Sequence, residues 1–129
     1  MILTDATILV SYLRTPTSRV EKILTSGDVA ICGVTRSEIL YGAKSEKNLK
    51  ELIRILDEFV PVLINEEIWD ELGINLQKLR THGITAPFQD VLIATVAIKN
   101  NLELWSYDKH FSLIKKILPG LRLFSEANQ

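Results

Sequence analysis

Cysteine, long apolar runs and net charge are all scarce in this 129-residue sequence, and the first two shortages exclude classes of protein. The single cysteine, Cys32, has no partner for an internal disulfide, which is typical of proteins in a reducing cytoplasm. No apolar run approaches the roughly 18 residues of a membrane-spanning helix, and no signal peptide opens the chain. We therefore expect a cytoplasmic protein that does not bind a membrane.

The formal net charge of −1 gives no indication of nucleic-acid binding by itself. However, a group of acids around a bound cation would leave the rest of the chain net positive. Binding to a polyanion is therefore neither indicated nor excluded. The length of 129 residues and the hydrophobic fraction of 47% fit one globular domain, residues 1–129.

Short apolar segments alternate with longer segments of helical periodicity along the whole chain. The alternation predicts strands at residues 1–5, 28–32, 60–64, 102–106 and 121–124. Between them it predicts helices at residues 6–13, 19–25, 35–43, 45–58, 65–80, 88–100 and 109–118. Because strands that alternate with helices usually pair in parallel, we expect an α/β fold in which helices cover both faces of a parallel sheet.

Four acidic residues occupy the same kind of position, where a predicted strand ends or the next helix begins: Asp5, Glu38, Asp90 and Asp108. Each has a plain structural explanation, since carboxylates cap helices and interact favourably with the positive end of the helix dipole. In a parallel sheet, however, the carboxyl ends of the strands and the amino ends of the following helices lie along one edge. The four side chains are therefore expected to converge.

Convergence of several carboxylates calls for a positive charge among them. Two like charges about 4 Å apart repel by several kcal/mol at an effective dielectric constant of about 20, whereas a helix dipole returns only about 0.3–1 kcal/mol. A divalent cation is the natural remedy, and a site of carboxylates without a His or Cys cluster prefers a hard ion, Mg²⁺ or Mn²⁺. Such ions bind phosphate oxygens, lower the pKa of a coordinated water and stabilise the leaving oxygen.

Four segments, in this order and at these spacings, resemble the PIN-domain nucleases, and in particular the VapC-type toxins of bacterial type II toxin–antitoxin pairs. They are ILTDATIL at residues 2–9, VTRSEILYG at 34–42, PFQDVLIA at 87–94 and WSYDKHF at 105–111. The resemblance implies a three-layer α/β/α domain with a central parallel sheet of about five strands in the order 3-2-1-4-5. It also implies an endoribonuclease that requires Mg²⁺ or Mn²⁺ and cleaves RNA with a metal-activated water. Finally, it implies a homodimer and inhibition by a small cognate antitoxin, whose tail enters the active site.

The resemblance assigns roles to particular residues. Asp5 and Asp90 would be the primary metal ligands, and Glu38 and Asp108 would complete the acidic pocket directly or through water. By position, these four are also the catalytic residues of the implied nuclease.

Two hydroxyl residues and one departure from the family pattern accompany these acids. Ser106 matches the family's hydroxyl residue that orients the pocket, and Thr7 matches its small polar residue two positions after the first acid. Ala6 occupies a position where the family often has Thr, which removes one hydroxyl from the surroundings of the ion. A loss of this kind can cost about 10–100-fold in affinity or activity.

Other polar and aromatic residues carry weaker predictions. Lys109 and Arg36 lie next to pocket acids in the sequence and are either phosphate contacts or solvated surface charges. His110 is predicted to be a surface helix residue rather than a proton shuttle. Trp69 and Trp105 each fall in an apolar stripe, which predicts positions in the core.

Two functions other than a nuclease are consistent with parts of the pattern. A non-catalytic PIN-like module would keep the pocket but bind without cleaving. An aspartyl-phosphate hydrolase also opens with an acid at the end of a strand, but it needs a second acid two residues later, where this chain has Thr7. The implied homodimer could use apolar surface around Ile39, Leu40 and Ile53.

Overall fold

Five short parallel strands form the centre of the molecule, whose structure, a computed structural model, describes residues 1–128. The strands are β1 (Ile2–Thr4), β2 (Val29–Cys32), β3 (Val60–Val62), β4 (Glu103–Trp105) and β5 (Arg122–Leu123). They form one sheet in the order β3-β2-β1-β4-β5, in which every neighbouring pair is parallel. The parallel sheet and the strand order implied by the resemblance are therefore confirmed.

Helices fill the connections between the strands. They are α1 (Ala6–Arg14), α2 (Ser18–Leu24), α3 (Gly33–Tyr41), α4 (Glu46–Leu56), α5 (Glu66–Thr81), α6 (Phe88–Lys99) and α7 (His110–Ile117), followed by a 3₁₀ helix at Glu126–Asn128. The ends of these helices and strands differ from the predicted ends by no more than two residues. None of the helices within residues 1–128 is both long enough and apolar enough to cross a membrane.

Successive strand residues pack into different hydrophobic clusters, because their side chains point to opposite faces of the sheet. Leu3 of β1 belongs to a cluster formed with α5, α6 and α7, in which Val91 is fully buried. Its neighbour Ile2 belongs to a second cluster, formed with α1 to α4 and including Ile8 and Leu52. Helices therefore cover both faces of the sheet, and the three-layer α/β/α arrangement is confirmed.

Helix α6 is the most deeply buried helix of the chain. Its residues 91–97 are all buried, as an apolar sequence on every side of a helix predicts. Its first turn contains Asp90, so the polar amino end of this core helix faces the edge of the sheet where the strands end. The burial of the helix therefore fixes the position of that carboxylate.

The two tryptophans lie in different surroundings. Trp105 is 1% exposed and packs edge-to-face against Phe124 with ring centroids 5.3 Å apart, so its predicted place in the core is confirmed. Trp69 is 45% exposed, and the prediction that it lies in the core is wrong. The buried stripe of α5 runs through Ile68 and Leu72. Since a helix turns about 100° per residue, Trp69 points to one side of that stripe.

Candidate active site

A cavity of about 240 Å³ opens where the carboxyl ends of the central strands meet the amino ends of the next helices. It is lined by all four acids singled out in the sequence, namely Asp5, Glu38, Asp90 and Asp108. They come from the end of β1, from α3, from the first turn of α6 and from the connection between β4 and α7. The structure thus brings together side chains that are far apart in the sequence, and we call this cavity the acid pocket.

Asp5 is the buried member of the group and is 5% exposed. Its Oδ1 accepts hydrogen bonds from the Thr7 backbone N–H at 3.0 Å, the Thr7 hydroxyl at 2.6 Å and the Ile8 N–H at 3.4 Å. Its Oδ2 accepts a hydrogen bond from the Ser106 hydroxyl. Burial raises the pKa of the Asp5 carboxyl above its ordinary value, and these hydrogen bonds oppose the rise. Asp5 therefore caps α1 and lines the pocket at the same time.

The Thr7 and Ser106 hydroxyls connect Asp5 to the loop between β4 and α7. Thr7 Oγ1 accepts a hydrogen bond from the Tyr107 N–H at 2.9 Å, and Ser106 Oγ accepts one from the Asp108 N–H at 2.9 Å. The two hydroxyl oxygens are 3.3 Å apart. Both side chains therefore hold the start of α1 against the loop that contains Asp108.

Glu38 and Asp90 line the pocket, and their carboxylates have fewer hydrogen bonds than that of Asp5. Partial burial raises the pKa of Glu38, and the negative charges of Asp90 and Asp5 raise it further. Burial also raises the pKa of Asp90, a hydrogen bond with His110 lowers it, and the charge of Asp108 raises it again. The raised pKa values thus reflect burial first and, after it, repulsion between neighbouring carboxylates.

His110 is a pocket residue that the sequence analysis missed. Its side chain is 51% exposed, as predicted for a surface helix residue, but His110 also lines the acid pocket. The ring Nδ1 lies 3.1 Å from Asp108 Oδ1 and 3.3 Å from Asp90 Oδ2. One signal could have identified it: His110 begins the helix that follows β4, and the amino ends of such helices lie at the active edge of a parallel sheet.

The structure does not bring the two candidate phosphate contacts into the pocket. The Arg36 guanidinium donates a hydrogen bond to Asp57 Oδ1 at 2.8 Å, and the two groups form an ion pair. Lys109 is exposed, and neither Lys109 nor Arg36 is among the residues that line the acid pocket. Arg36 lies in α3 and Asp57 directly follows α4. Their contact therefore depends on how α3 packs against α4, which the sequence does not reveal.

The chemistry of the donor set fits a divalent cation. The pocket offers the oxygens of four carboxylates and one imidazole nitrogen. Donor atoms of Asp90, Asp108 and His110 lie within 4.8 Å of one another, close enough to share one ion. The negative charges of neighbouring acids contribute to the raised pKa values of Glu38 and Asp90, so a positive ion would relieve an existing repulsion. Carboxylate-rich sites of this kind suit Mg²⁺ and Mn²⁺.

A second concave surface includes residues of α1 and is apolar. This apolar groove has a volume of about 490 Å³ and is lined mainly by Leu9, Leu13, Leu24, Ile39, Leu52 and Ile55. Leu13 and Ile55 are 41% and 40% exposed at its rim. Ile39 is 5% exposed on its floor, so it offers little of the surface that the sequence suggested for contact with a second copy.

The sequence matches the model of one protein family and is similar to a known ribonuclease. The family model that matches is the PIN domain, over residues 2–117. Ribonuclease VapC1 of Methanocaldococcus jannaschii is 31% identical over 127 residues, which cover 97% of this chain and 88% of that protein.

Solved structures with a similar fold include VapBC complexes. A chain in the crystal structure of VapBC2 from Rickettsia felis, bound to a DNA fragment from their promoter, is 25% identical with a TM-score of 0.81 and covers 96% of this chain and 98% of that one. A chain of DNA-bound VapBC from Salmonella typhimurium has a TM-score of 0.84 at 20% identity, covers 97% of each chain and shows the fold alone. The family model and the archaeal ribonuclease together show that this protein belongs to the PIN-domain family and is a relative of the VapC ribonucleases.

Proposed function

We propose that this protein is a Mg²⁺- or Mn²⁺-dependent endoribonuclease and the toxin of a toxin–antitoxin pair, acting on RNA in the cytoplasm. The observation that carries the proposal is the convergence of Asp5, Glu38, Asp90 and Asp108 on one pocket of about 240 Å³. The similarity to a VapC ribonuclease over nearly the whole chain supports it.

Asp5 and Asp90 are the residues that would hold the cation, and the other two acids would contribute directly or through water. When bound, a divalent cation lowers the pKa of a coordinated water and stabilises charge that develops on the phosphate. The contribution of the protein is to place the carboxylates. Ser106 and Thr7 fix both oxygens of Asp5 by hydrogen bonds, so that carboxylate keeps its orientation whether or not RNA is present.

Glu38 lines the same pocket as a further carboxylate. Partial burial and the negative charges of Asp90 and Asp5 raise its pKa above the ordinary value, and a bound cation would offset that rise. The same negative charges repel the phosphates of RNA, so cleavage should depend on the cation.

Cleavage of RNA by the purified protein tests the proposal. We expect cleavage with Mg²⁺ or Mn²⁺ and none with EDTA. Asp5→Ala and Asp90→Ala should each lose more than the about 10–100-fold that follows loss of a residue supporting a metal ligand. The matched control is Asp70→Asn, which changes an exposed acid of α5 and should keep full activity. Full cleavage by Asp5→Ala, or by the wild-type protein in EDTA, would contradict the proposal.

The apolar groove supports the partner that the proposal requires. Amphipathic helices bind such grooves by their apolar faces, and the rim residues Leu13 and Ile55 are already exposed. Several similar structures are VapBC complexes. The cognate antitoxin would cover the groove, and its tail would reach the acid pocket.

Substitutions at the rim of the groove test this part. Leu13→Lys and Ile55→Lys should weaken binding of the cognate antitoxin, while RNA cleavage stays unchanged. Leu113→Lys is the control, because Leu113 is 45% exposed on α7, outside the groove. Wild-type affinity in both rim variants would exclude the groove as the antitoxin site.

The homodimer is proposed on the resemblance alone. Light scattering of the purified protein should give about twice the chain mass of 14.6 kDa. A mass of one chain at every concentration would contradict the homodimer and leave the nuclease proposal intact.

The two alternative functions make different predictions. A non-catalytic PIN-like module would bind Mn²⁺ in calorimetry but cleave none of several RNA substrates. An aspartyl-phosphate hydrolase would form a labelled phospho-enzyme at Asp5. The structure argues against that second chemistry, because the Thr7 hydroxyl donates to the Asp5 oxygen at 2.6 Å and occupies the position of the second acid.

A further inference from the structure

His110 places an imidazole nitrogen among the carboxylates of the acid pocket. It is the first residue of α7, and its backbone N–H donates a hydrogen bond to Asp108 Oδ1 at 2.9 Å. Its ring Nδ1 lies 3.1 Å from the same oxygen and 3.3 Å from Asp90 Oδ2. The helix start and the ring therefore point into the space between two acids from different parts of the chain.

The spacing of these atoms is also the spacing of ligands around one cation. Around an octahedral ion with bonds of about 2.1 Å, neighbouring ligand atoms are about 3 Å apart. The two distances from Nδ1, 3.1 Å and 3.3 Å, are close to this value. An ion placed among the three side chains would replace the hydrogen bonds of the ring without a large movement of any of them.

Asp5 does not belong to this group of three. Its carboxylate is held by Thr7 and Ser106, so the pocket has two distinct ends. We call Asp5 with its two hydroxyl partners the inner end, and Asp90, Asp108 and His110 the outer end.

We propose that His110 binds the pocket cation through Nδ1 together with Asp90 and Asp108, and that this nitrogen makes the outer end select Mn²⁺ over Mg²⁺. The inference rests on the proposed metal-dependent function. Mg²⁺ takes oxygen ligands and gives up its water reluctantly, whereas first-row transition ions accept imidazole nitrogen. The ring is half exposed, so it gives up little hydration on binding an ion. Without an ion, Nδ1 lies at hydrogen-bond distance from both acids. To bind an ion through Nδ1, the neutral ring carries its proton on Nε2, which leaves the lone pair of Nδ1 for the ion.

Pulsed EPR of the whole protein with one equivalent of Mn²⁺ tests the ligand directly. Modulation from ¹⁴N shows that an imidazole nitrogen is bound to the ion, and the method does not depend on RNA cleavage. The chain has two histidines, His82 and His110. We expect the nitrogen signal in the wild-type protein and in the control His82→Asn, and its loss in His110→Asn. His82 suits the control because it is exposed and its Nδ1 lies 2.8 Å from the Lys78 carbonyl oxygen.

Calorimetry of the same variants tests the selectivity. His110→Asn should raise the Kd for Mn²⁺ by at least about 10-fold, the lower limit for loss of a residue that merely supports a ligand, while the Kd for Mg²⁺ changes much less. His82→Asn should leave both Kd values unchanged. Thermal unfolding of each variant shows whether it is folded, which the exposure of the His110 side chain leads us to expect.

Several results would overturn the inference. They are absence of the nitrogen signal from wild-type protein with Mn²⁺ bound, its survival in His110→Asn, and an unchanged or lower Kd for Mn²⁺ in that variant. The last result would mean that His110 is a hydrogen-bond partner that the ion displaces. Failure of this inference can be told apart from failure of the proposed function. A nitrogen signal without RNA cleavage contradicts only the nuclease proposal. RNA cleavage without the nitrogen signal contradicts only the role of His110.

Discussion

At the inner end of the acid pocket Asp5 accepts hydrogen bonds from Thr7, Ile8 and Ser106, whereas at the outer end Asp90 is supported chiefly by His110. Burial raises the pKa of both carboxyls, yet the opposing hydrogen bonds are more numerous at Asp5. The inner end is therefore held by hydrogen bonds of the protein itself, while fewer such bonds offset the negative charge at the outer end. Substitutions at the inner end should therefore change the orientation of Asp5. Substitutions at the outer end should change the balance of charge in the pocket.

The difference follows from the fold. β1 is the central strand, with β2 and β4 on its two sides, so the residue that follows it is covered by neighbouring chain. Asp90 instead lies in the first turn of α6, which has no side-chain cap, and its side chain is 16% exposed. A carboxylate at the central strand end can be surrounded by donors, and one at a helix start is open to solvent on one side.

Loss of the Ser106 hydroxyl should be the most damaging change among the residues that support the inner end. Ser106→Ala removes a donor to Asp5 Oδ2 and an acceptor for the Asp108 N–H. We expect kcat/KM for RNA to fall by about 10–100-fold, with a matching rise in the Kd for Mg²⁺. Ser112→Ala, at an exposed position of α7, is the control and should be silent. A Ser106→Ala protein with wild-type metal affinity would show that the inner end does not depend on this hydroxyl.

The Thr7 hydroxyl should matter somewhat less, because the Thr7 backbone N–H still donates a hydrogen bond to Asp5 Oδ1 when the side chain is changed. Thr7→Val keeps the shape but removes the donor to Asp5 and the acceptor for the Tyr107 N–H. We expect a loss in kcat/KM of about 10-fold, the lower limit for residues that orient a metal ligand. Thr7→Ser should restore the activity. If Thr7→Ser were as impaired as Thr7→Val, the methyl group rather than the hydroxyl would be important.

The repulsion between Glu38 and Asp90 should affect the pH dependence of stability. The pKa values of Glu38 and Asp90 are raised in the folded protein, so folding favours their protonated forms. This contribution is fully present below the ordinary carboxyl pKa of about 4 and is lost as the pH rises through the raised values. In EDTA, Glu38→Gln should therefore unfold at a slightly higher temperature than the wild-type protein at pH 7, and the effect should be small because Glu38 is exposed and solvent screens its charge.

The control for this experiment is Glu51→Gln, at an exposed position in the middle of α4. Mg²⁺ should reduce the difference between wild type and Glu38→Gln, because the ion compensates the charge that the substitution removes. Equal unfolding temperatures at pH 7 in EDTA would mean that the charge of Glu38 does not destabilise the folded protein. Thermal unfolding followed by circular dichroism at several pH values makes the measurement.

The sequence was sufficient to predict the parallel sheet and the convergence of the four acids, since both follow from alternation and from the geometry of parallel sheets, whereas the strand order came from the resemblance. Asp5 is the clearest case: a carboxylate inside an apolar run can be tolerated only at a strand end with partners. Its partner Ser106 was named through the resemblance, not through spacing. The contact between Ser106 and Asp5 spans 101 residues, which no local pattern encodes.

Side-chain partners on helix surfaces were harder to predict. His110 follows Asp108 by two residues, but its contact with Asp90 depends on how α7 packs beside α6. Arg36 was a candidate for phosphate, yet it pairs with Asp57, which packing brings next to it. The prediction for Trp69 was wrong for a similar reason. An apolar residue one position away from a buried stripe is buried only if another helix or strand packs against it.

The smallest expected effect concerns the hydrogen bonds that connect the loop beside the inner end to Glu126. The Tyr107 hydroxyl donates to Glu126 Oε1 at 2.6 Å, and the Trp105 Nε1–H donates to the same oxygen at 3.2 Å. Burial and Glu126 raise the pKa of Tyr107 to about 12, so the phenol remains a donor at neutral pH. Because Ser106 and Thr7 still hold the loop, Tyr107→Phe should lower kcat/KM by less than about 10-fold. A loss as large as that of Ser106→Ala would mean that the anchor at Glu126, and not the pair of hydroxyls, keeps Asp5 in place.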